Sequence, residues 1–529
     1  MASTTIRHVV IVGGGSAGWL SAAVLASGFQ ALENGGVRVT LIESPDVPTI
    51  GVGEGTWPTM RDTLRAAGLS ESAFFRECDA AFKQGSRFSR WVDGGDHDYY
   101  FHPFVLPQGW GEADMAGRWL ERHTDIPFAD LVTYQPHLCV HGRAPKQAAT
   151  PEFAAVANYG YHLDAGKFGL FLKKHCLEKL GVHYVPDHVT GIRSHEFGER
   201  SGDIAALHTK AHGELAGDLF VDCTGMQSLL LGKHYGVPFI PQRGVLFNDS
   251  ALAVQVPYLR EDDPIASQTT STAQEAGWIW DIGLPTRRGI GHVYSSAHTD
   301  DEAAERALRA YIRATGGPED IPTPRKLSFE PGYRERFWHR NCLAIGLSAG
   351  FIEPLEASAL AMVELSSAML LDEMPATREQ MDLCARRFNE TFTYRWERVI
   401  DFLKLHYVLS RRDGALDPNG YWRDNRSKET IPQHVADLLA LWRHRPPSRY
   451  DFNRIQEVFP AASYQYVLYG MGFKPEPGPA RRERVGEGDG AMADGFLRQA
   501  ADLTRRMLPA LPDNRTLIAH IVRHGLPIK

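Results

Sequence analysis

A glycine-rich turn close to the amino terminus constrains the fold of this chain more than any other feature of its sequence. Residues 13–18, Gly-Gly-Gly-Ser-Ala-Gly, follow a β-branched run at 9–12 and open a small-residue segment that ends at 29, which predicts a strand, a tight turn and a helix. A second alternating strand, residues 37–42, ends on Glu43 and completes a βαβ unit. Such glycines let backbone N–H groups approach a pyrophosphate, and an acid after the second strand accepts hydrogen bonds from a ribose. The sequence therefore predicts a dinucleotide site here.

Composition excludes several classes of protein. The 529 residues are 43% hydrophobic and 23% charged, as in ordinary globular proteins, and a net charge of −7 without a basic stripe argues against nucleic acid as a partner. The uncharged stretch at 9–29 is long enough to suggest a membrane-spanning helix, but the glycines interrupt it, and the apolar run before them is too short for a signal peptide. The six cysteines show no metal-ligand spacing. We expect a cytoplasmic protein with reduced cysteines, no metal and no membrane contact.

The middle of the chain predicts that the sheet is discontinuous in sequence. Two further apolar strands, residues 219–223 and 342–346, run into Thr-Gly and Ser-Ala-Gly turns. Between them, residues 250–291 are typical of an antiparallel sheet. The strands of one sheet are thus expected to come from separate parts of the chain.

The last third of the chain has a different pattern. From about Thr377 onward the sequence predicts helices rich in aromatic residues and arginine, for example at 388–409. Residues 473–490 contain several prolines and glycines with alternating charges, which is linker composition. A short helix at 496–508 is predicted to close the chain.

Four ordered segments carry a resemblance to a known family. Residues 278–283, Trp-Ile-Trp-Asp-Ile-Gly, resemble the WxWxIP signature of flavin-dependent halogenases, with Gly283 in place of the proline. Residues 51–56 resemble the flavin strap of that family, residues 81–84 the segment with its catalytic lysine, and residues 353–356 the segment with its catalytic glutamate. The similarity runs from residue 9 to about 475, and the tryptophan (indole) halogenases are the most similar members.

The resemblance implies a fold class and a set of cofactors. The expected architecture is α/β, with a Rossmann-type FAD-binding monooxygenase core at 1–374 that includes an inserted antiparallel sheet at about 250–295. A mainly helical region at 375–529 would complete the substrate pocket, with the linker at about 473–490. The implied cofactors and substrates are FAD as FADH2, O2, a halide (bromide or chloride) and a small aromatic molecule. A separate NAD(P)H flavin reductase is the implied partner, and a homodimer is common in the family.

Two residues are expected to carry the chemistry. In this family, reduced flavin, O2 and halide yield hypohalous acid, which a buried lysine holds or converts to a haloamine, so the resemblance assigns that role to Lys83. The alternative is an ordinary solvated lysine. Aromatic substitution passes through a cation that must lose a proton, which the resemblance assigns to Glu356, with Glu353 structural. The alternative for both glutamates is an acid at a helix N-terminus.

The remaining site residues are also implied by the resemblance. Trp278 and Trp280 lie two residues apart on a strand and so share one face, where they would form a wall beside the flavin or pack in the core. The implied halide contacts are Ser358 and Ala359. The implied substrate contacts are His102, Pro103 and Phe104, with Phe459 on the opposite side of the ring. The implied flavin contacts are Gly13, Gly15, Ser16, Ala17, Gly18, Glu43, Val52, Gly53, Glu54, Gly55, Val189, Leu347 and Leu360.

Two departures from the family pattern bear on specificity. Ala357, Ser358 and Ala359 stand where the tryptophan halogenases have Ser-Thr-Gly, and a Cβ at Ala359 would alter the halide cavity and restrict the backbone. We therefore expect bromide to be preferred over chloride, which is harder to oxidise and more tightly hydrated. Residues 446–454 lack the Tyr-Tyr and Glu that hold the amino-acid end of tryptophan in the family. Indole or a larger indole-containing molecule should therefore bind better than free tryptophan.

Two other functions share parts of the pattern. A single-component FAD-dependent aromatic hydroxylase would have the same glycine turn but would not require Lys83 or the tryptophan pair. A non-catalytic flavin-binding protein would require neither Lys83 nor Glu356. No second dinucleotide fingerprint follows Gly18, which favours an external source of reduced flavin.

Overall fold

The computed structural model describes residues 5–31, 35–47, 53–454, 456–476 and 487–528, which form two compact units of three segments each. The first unit contains Met1–Asp79, Leu163–Gln242 and Glu330–Trp396, and the second contains Ala80–His162, Arg243–Phe329 and Glu397–Lys529. This division differs from the predicted boundary between residues 374 and 375. The physical reason is that each unit completes its sheet with strands from distant parts of the chain.

Elements are numbered in chain order. The strands of the first unit are β1 (His8–Val12), β2 (Arg38–Glu43), β3 (Gly53–Gly55), β8 (His183–Pro186), β9 (Val189–Ser194), β10 (Ile204–Thr209), β11 (Glu214–Ala216), β12 (Leu219–Asp222), β13 (Phe239–Pro241), β19 (Gly332–Arg334), β20 (Trp338–His339), β21 (Cys342–Ala344) and β22 (Gly350–Phe351). Its helices are α1 (Ser16–Gly28), α2 (Thr59–Ala66), α3 (Glu71–Glu77), α7 (Ala165–Glu178) and α9 (Ser358–Asp372). Helix α10 (Arg378–Val408) contains the division between the units.

The first unit is built on a six-stranded sheet in the order β20-β21-β12-β1-β2-β8. Strand β1 pairs in parallel with β2 and with β12, and β12 pairs in parallel with β21. All five residues of β1 are buried, as expected for a central strand covered on both faces. The predicted βαβ unit and the discontinuous parallel sheet are therefore observed. Among the described residues, no helix is long and apolar enough to cross a membrane.

The second unit has its own set of elements. Its strands are β4 (Ala81–Lys83), β5 (Gly85–Ser89), β6 (Tyr99–Pro103), β14 (Ser250–Pro257), β15 (Thr269–Gln274), β16 (Gly277–Gly283), β17 (Arg287–Tyr294) and β18 (Arg325–Ser328), and β7 (Gly160–Asp164) begins in it. Its helices are α4 (Met115–Arg122), α5 (Phe128–Val132), α6 (Gln135–Val140), α8 (Asp301–Ala314), α11 (Tyr421–Asn425), α12 (Gln433–Trp442), α13 (Ala461–Gly470), α14 (Glu487–Ala510) and α15 (Asn514–His524).

The second unit is built on a seven-stranded sheet in the order β18-β14-β17-β16-β15-β5-β6. Strands β14 to β17 form the predicted antiparallel sheet. Strand β5 extends it by pairing in parallel with β15, and β6 then pairs with β5. Helix α8 buries Leu308 and Ile312 against residues of this sheet such as Ile279. The sheet thus continues into strands that the local sequence pattern did not assign to it.

The carboxyl-terminal predictions need correction. Residues 477–486 of the predicted linker lie outside the described residues, but its last four residues, 487–490, are the first turn of α14. The predicted closing helix at 496–508 is only part of α14, and α15 follows it. Burial of Ala493, Leu497 and Ala500 along one face of α14 outweighs the low helix propensity of its glycines.

Candidate active site

In the glycine turn after β1, an added Cβ would clash at Gly13, Gly14 and Gly18 and would meet open space at Gly15. A Cβ on Gly13, whose φ is +111°, would lie 2.2 Å from the carbonyl oxygen of Cys223, and a Cβ on Gly18 would lie 1.9 Å from the carbonyl oxygen of Gly13. At Gly15, which caps α1, an added Cβ would meet nothing within 4 Å. Gly13 and Gly18 therefore serve close packing, whereas Gly15 leaves open space next to the backbone N–H groups of Ser16 and Ala17. This arrangement fits the pyrophosphate of FAD.

Glu43 is held against this turn by two partners from distant segments. Its Oε2 accepts hydrogen bonds from Lys173 Nζ (2.7 Å) and from the Tyr184 hydroxyl (2.9 Å). A Cβ on Gly14 would lie 2.1 Å from Glu43 Oε1, so this oxygen faces the glycine turn. The carboxylate is thus oriented to accept from a ribose hydroxyl with Oε1. Lys173 and Tyr184 were not found from the sequence, because no local pattern connects α7 and β8 to Glu43.

Asp222 organises the two turns that follow β12 and β21. This carboxylate is fully buried, and its Oδ1 accepts from the Thr224 backbone N–H (3.0 Å) and from Ser348 Oγ (3.1 Å). Its Oδ2 accepts from the backbone N–H groups of Leu230 and Leu231, at 2.9 Å each. No role for Asp222 was predicted from the sequence. The available signal was an acid at the carboxyl end of a buried strand, directly before Thr-Gly.

The other predicted flavin contacts are spread over the first unit. Val52 lies outside the described residues. Gly53, Glu54 and Gly55 form β3, and burial raises the pKa of Glu54 to about 7. Val189 is the first residue of β9. Leu347 lies in a 3-10 turn after β21, and Leu360 is buried on α9. Gly346 lies in the same 3-10 turn as Leu347. A Cβ on Gly346 would lie 2.7 Å from the Cβ of Ala17, so this turn is packed against the start of α1.

Glu356 lies in a strained loop directly before α9. It is 7% exposed and has a φ of +65°, and the next residue, Ala357, has a φ of +55°. Residues with a Cβ rarely adopt this left-handed region, and two in succession are unusual. The indole Nε1–H of Trp57 donates to the Glu356 backbone carbonyl (2.8 Å). Glu356 lies two residues before the first residue of α9 and Glu353 lies five before it, so the alternative of an acid at the helix N-terminus stays open.

The predicted halide residues begin α9. Ser358 is the first residue of the helix and is buried, whereas Ala359 is exposed. The expected backbone restriction at Ala359 is wrong, because a right-handed helix accommodates a Cβ without strain and Ala359 has no positive φ. The strain lies at Ala357 instead. What Ala359 adds relative to glycine is only the volume of its methyl group.

Lys83 is a buried residue at the end of β4. It is 1% exposed and lies opposite Gly160 in the antiparallel pairing of β4 with β7, so no side chain from Gly160 occupies that position. Its Nζ lies 5.4 Å from the centre of the Phe104 ring. The alternative interpretation of Lys83 as an ordinary solvated lysine is therefore wrong.

His162 shares a face of this strand pair with Lys83. Directly opposite residues share a face, and Ala81 pairs with His162 while Lys83 pairs with Gly160, which makes Lys83 and His162 diagonal neighbours. His162 is fully buried, and its Nε2 lies 2.8 Å from Thr269 Oγ1. Burial and then the charge of Lys83 hold the pKa of His162 well below its usual value, so the ring is neutral. His162 was not predicted from the sequence, although apolar and polar residues alternate at 161–164 as in a strand.

The predicted substrate residues fall into two groups. His102, at the end of β6, has its Nε2 2.9 Å from Ser463 Oγ and its ring centre 6.3 Å from that of Phe459. Phe459 stacks on Phe402 with ring centres 3.8 Å apart. Pro103 is buried beside His102, and Phe104 is half-buried next to Lys83. The structure therefore brings His102 and Phe459 together, and it adds Phe402, which was not predicted from the sequence.

The two tryptophans of β16 have different surroundings. Their ring centres lie 6.5 Å apart. Trp280 lies over Gly291 on β17, where a Cβ would come within 2.1 Å of the indole ring. Trp278 is 1% exposed, with its ring centre 6.4 Å from that of Trp91. Core packing is thus observed for Trp278, and the flavin-side wall stays a prediction.

Comparison with known proteins assigns the family. The sequence model described as tryptophan halogenase matches residues 8–485. The chain belongs to the tryptophan halogenase family. A solved tryptophan halogenase from Shewanella frigidimarina NCIMB 400 is 46% identical, with a TM-score of 0.93 and 99% of each chain covered. The 7-chloro-L-tryptophan 6-halogenase KtzR of Kutzneria sp. (strain 744) is 32% identical, over 95% of this chain and 98% of that one.

A third similar protein is Tar14, a tryptophan C-6 flavin-dependent halogenase (chlorinase) from taromycin biosynthesis. Its structure has a TM-score of 0.88 and is 32% identical in sequence, and the match covers 97% of this chain and 99% of that chain. Membership of the tryptophan halogenase family confirms the predicted resemblance, the α/β fold with a Rossmann-type FAD-binding core and the assignment as a flavin-dependent halogenase. Bound FAD would supply, together with O2, the redox chemistry for halide oxidation.

The surroundings of residues 446–454 bear on whether this tryptophan halogenase homologue could hold the amino-acid end of a substrate. In the segment 446–454, Tyr450 is 80% exposed, and the Asp451 side chain is 1% exposed. The Asp451 carboxylate accepts hydrogen bonds from Arg445 Nη1 (2.9 Å), Trp442 Nε1 (2.9 Å) and the Ser448 backbone N–H (2.8 Å). This acid is committed to internal bonds and is not presented to a ligand ammonium.

Proposed function

We propose that this chain is an FADH2-dependent halogenase that oxidises halide with O2, prefers bromide to chloride, and halogenates indole or a larger indole-containing molecule. The observation that carries the proposal is the burial of Lys83 on β4 beside the Phe104 ring. An ammonium shielded from water can hold a reactive oxidant next to an aromatic ring without releasing it to solvent. A separate NAD(P)H flavin reductase would supply FADH2, and the cytoplasmic location and the homodimer stay predictions.

The proposed step uses two side chains of this chain. Lys83 donates a hydrogen bond to the oxygen of hypohalous acid, which polarises the bond between oxygen and halogen. The ring carbon forms a bond to the halogen, the oxygen–halogen bond breaks toward oxygen, and that oxygen takes a proton from Lys83 and leaves as water. The Glu356 carboxylate then accepts the proton that the ring carbon loses. Protons exchanged with solvent restore Lys83 and Glu356, so the net products are halogenated ring and water.

Two observations support the proposed substrate and halide. A free tryptophan would bring a charged ammonium to the segment 446–454, where the carboxylate of Asp451 is already bonded to Arg445 and Trp442. Burying an unpaired ammonium is costly, which favours an indole that lacks the amino-acid group. At the predicted halide residues, Ala359 carries a methyl group where the family has glycine, and Ala357 before them has a left-handed backbone. An imperfect site should disfavour chloride more than bromide.

A competition assay tests this proposal. The protein is supplied with FAD, a flavin reductase, NADH, O2, equal bromide and chloride, and equal indole and tryptophan, and the products are identified by their isotope patterns in mass spectrometry. Brominated indole should dominate. Mainly chlorinated tryptophan would contradict both the halide and the substrate proposals, and hydroxylated products without halogen would indicate the aromatic hydroxylase instead.

A further inference from the structure

Trp57 joins the segment after β3 to the backbone of Glu356. Its indole Nε1–H donates a hydrogen bond of 2.8 Å to the Glu356 carbonyl oxygen. Trp57 follows the end of β3 by two residues and precedes the start of α2 by two. A single side chain therefore connects the predicted flavin-contact strand with the loop of the predicted proton acceptor.

The loop at Glu356 depends on such a contact because its backbone is strained. Glu356 has φ +65° and ψ +5°, and Ala357 has φ +55° and ψ +45°. Left-handed conformations of residues with a Cβ persist only where surrounding contacts hold them. The Cα–Cβ direction of Glu356 is set by this conformation, so a bond to the Glu356 carbonyl also restrains the region that its carboxylate can reach.

Helices α2 and α9 are also joined directly by hydrogen bonds. Thr63 Oγ1 donates a hydrogen bond of 2.6 Å to Glu364 Oε1, and Thr59 Oγ1 lies 3.4 Å from Glu364 Oε2. Because α9 starts directly after Ala357, these bonds restrain the helix that follows the loop, while Trp57 restrains the loop itself. Trp57 thus acts at the one part of this region whose backbone conformation is unfavourable.

We propose that Trp57 is a positioning residue for ring halogenation: its indole N–H holds the Glu356 backbone in the left-handed conformation that aims the carboxylate at the ring proton. The inference rests on the role proposed for Glu356. Trp57 acts through the position of that carboxylate and takes no part in halide oxidation. Loss of the indole N–H should therefore separate the two steps of the reaction.

The variant Trp57→Phe keeps an aromatic ring and removes the donor. Two rates are measured in the presence of FAD, a flavin reductase, NADH and bromide. The first is the rate of hypobromous acid formation without indole, followed by trapping the acid with a soluble 1,3-diketone. The second is the rate of bromoindole formation with indole. The hypobromous acid rate should stay within about twofold of the wild type, while kcat for bromoindole falls about tenfold with little change in KM. Trp338→Phe is the matched control, because it removes an indole N–H bond to the Arg340 carbonyl (3.0 Å) in the same unit and should leave the ratio of the two rates unchanged.

A double variant distinguishes the ways in which the inference can fail. Trp57→Phe combined with Glu356→Gln should be no slower than Glu356→Gln alone, because Trp57 acts through Glu356. Additive losses in the double variant, a parallel fall of both rates in Trp57→Phe, or an unchanged ratio would overturn the inference. If Glu356→Gln brominates indole at the wild-type rate, the role proposed for Glu356 fails. If that variant is slow while Trp57→Phe is normal, only the inference about Trp57 fails.

Discussion

Among the described residues of the second unit, three lysines are buried: Lys83, Lys146 and Lys404. Lys146 Nζ donates to the Pro151 carbonyl (2.9 Å), and Lys404 Nζ donates to the Val245 carbonyl (3.0 Å) and to Asn425 Oδ1 (2.9 Å). These two ammonium groups serve to satisfy buried oxygens of the fold. Lys83 lies on a strand facing a glycine, with the half-buried Phe104 ring 5.4 Å from its Nζ and the neutral His162 on the same strand face.

The first prediction concerns Lys83→Ala. Ring halogenation should be abolished because the oxidant is no longer held, while FAD binding, measured by fluorescence titration, should be unchanged. Lys146→Met is the control, since Lys146 is equally buried and lies 5.4 Å from the Tyr159 ring. It should lower the thermal unfolding midpoint but keep halogenation per folded molecule. Full activity in Lys83→Ala would show that Lys83 has no role in the reaction.

The second prediction concerns Glu356→Gln. Ring halogenation should fall roughly 10²-fold or more, the usual scale for loss of a general base, because the amide cannot accept the ring proton. Free hypobromous acid should still form at the wild-type rate. Glu353→Gln, three residues earlier and 1% exposed, is the control and should remain active within a few-fold. Loss of hypobromous acid together with ring halogenation in Glu356→Gln would place its action at the flavin instead.

At the scale of elements, the contact between α2 and α9 contains an acid that is protonated in the folded protein. Glu364 is 4% exposed on α9. Burial raises its pKa to about 8, and the hydroxyl groups of Thr63 and Thr59 oppose that rise only in part. A carboxylic acid that stays neutral near pH 7 packs in such a place at lower cost than a carboxylate.

The third prediction follows from this pKa. In the unfolded chain Glu364 titrates near its ordinary value of 4.5, so the folded state holds more protons between about pH 4.5 and pH 8. Its contribution to the free energy of unfolding is therefore greatest below about pH 4.5, falls as the pH rises, and is constant above about pH 8. In thermal unfolding followed by circular dichroism, the midpoint of Glu364→Gln should fall less than that of the wild type over this range.

An exposed glutamate gives the control for this measurement. The side chain of Glu302 on α8 is 89% exposed, so Glu302→Gln should keep the wild-type pH dependence. Identical slopes for the wild type and Glu364→Gln would contradict the assignment of a protonated Glu364.

Elements whose pattern is local were predictable from the sequence. The strand, glycine turn, helix and second strand around residues 13–18 were read correctly because apolar periodicity and glycine signal them within a few residues. The family segments singled out Lys83 and Glu356, whose roles stay predictions. The bonds of Lys173 to Glu43 and of Trp57 to Glu356 could not be predicted, because they join residues 130 and 299 positions apart. The left-handed backbone at Glu356 and Ala357 could not be predicted either, because neither residue type favours that conformation.

At the scale of the whole molecule, the fourth prediction concerns the source of electrons. The glycine turn at residues 13–18 is the one dinucleotide fingerprint in the sequence, and we propose that it binds FAD. NADH alone should therefore leave the absorbance of bound FAD near 450 nm unchanged over minutes, whereas added flavin reductase should bleach it. Rapid bleaching by NADH without a reductase would favour the single-component hydroxylase.

The order of the sheet strands also governs how the chain can fold as it is made. Val9 of β1 pairs with Val39 of β2 on one side and with Leu219 of β12 on the other. At about 5–20 residues per second, the ribosome needs roughly 10–40 s to make the 200 or so residues between β1 and β12. During that interval one edge of an apolar strand has no native partner, which is the situation in which nascent chains associate wrongly. We therefore expect the yield of folded enzyme in a host cell to depend on chaperone capacity and growth temperature more than on the stability of the finished protein.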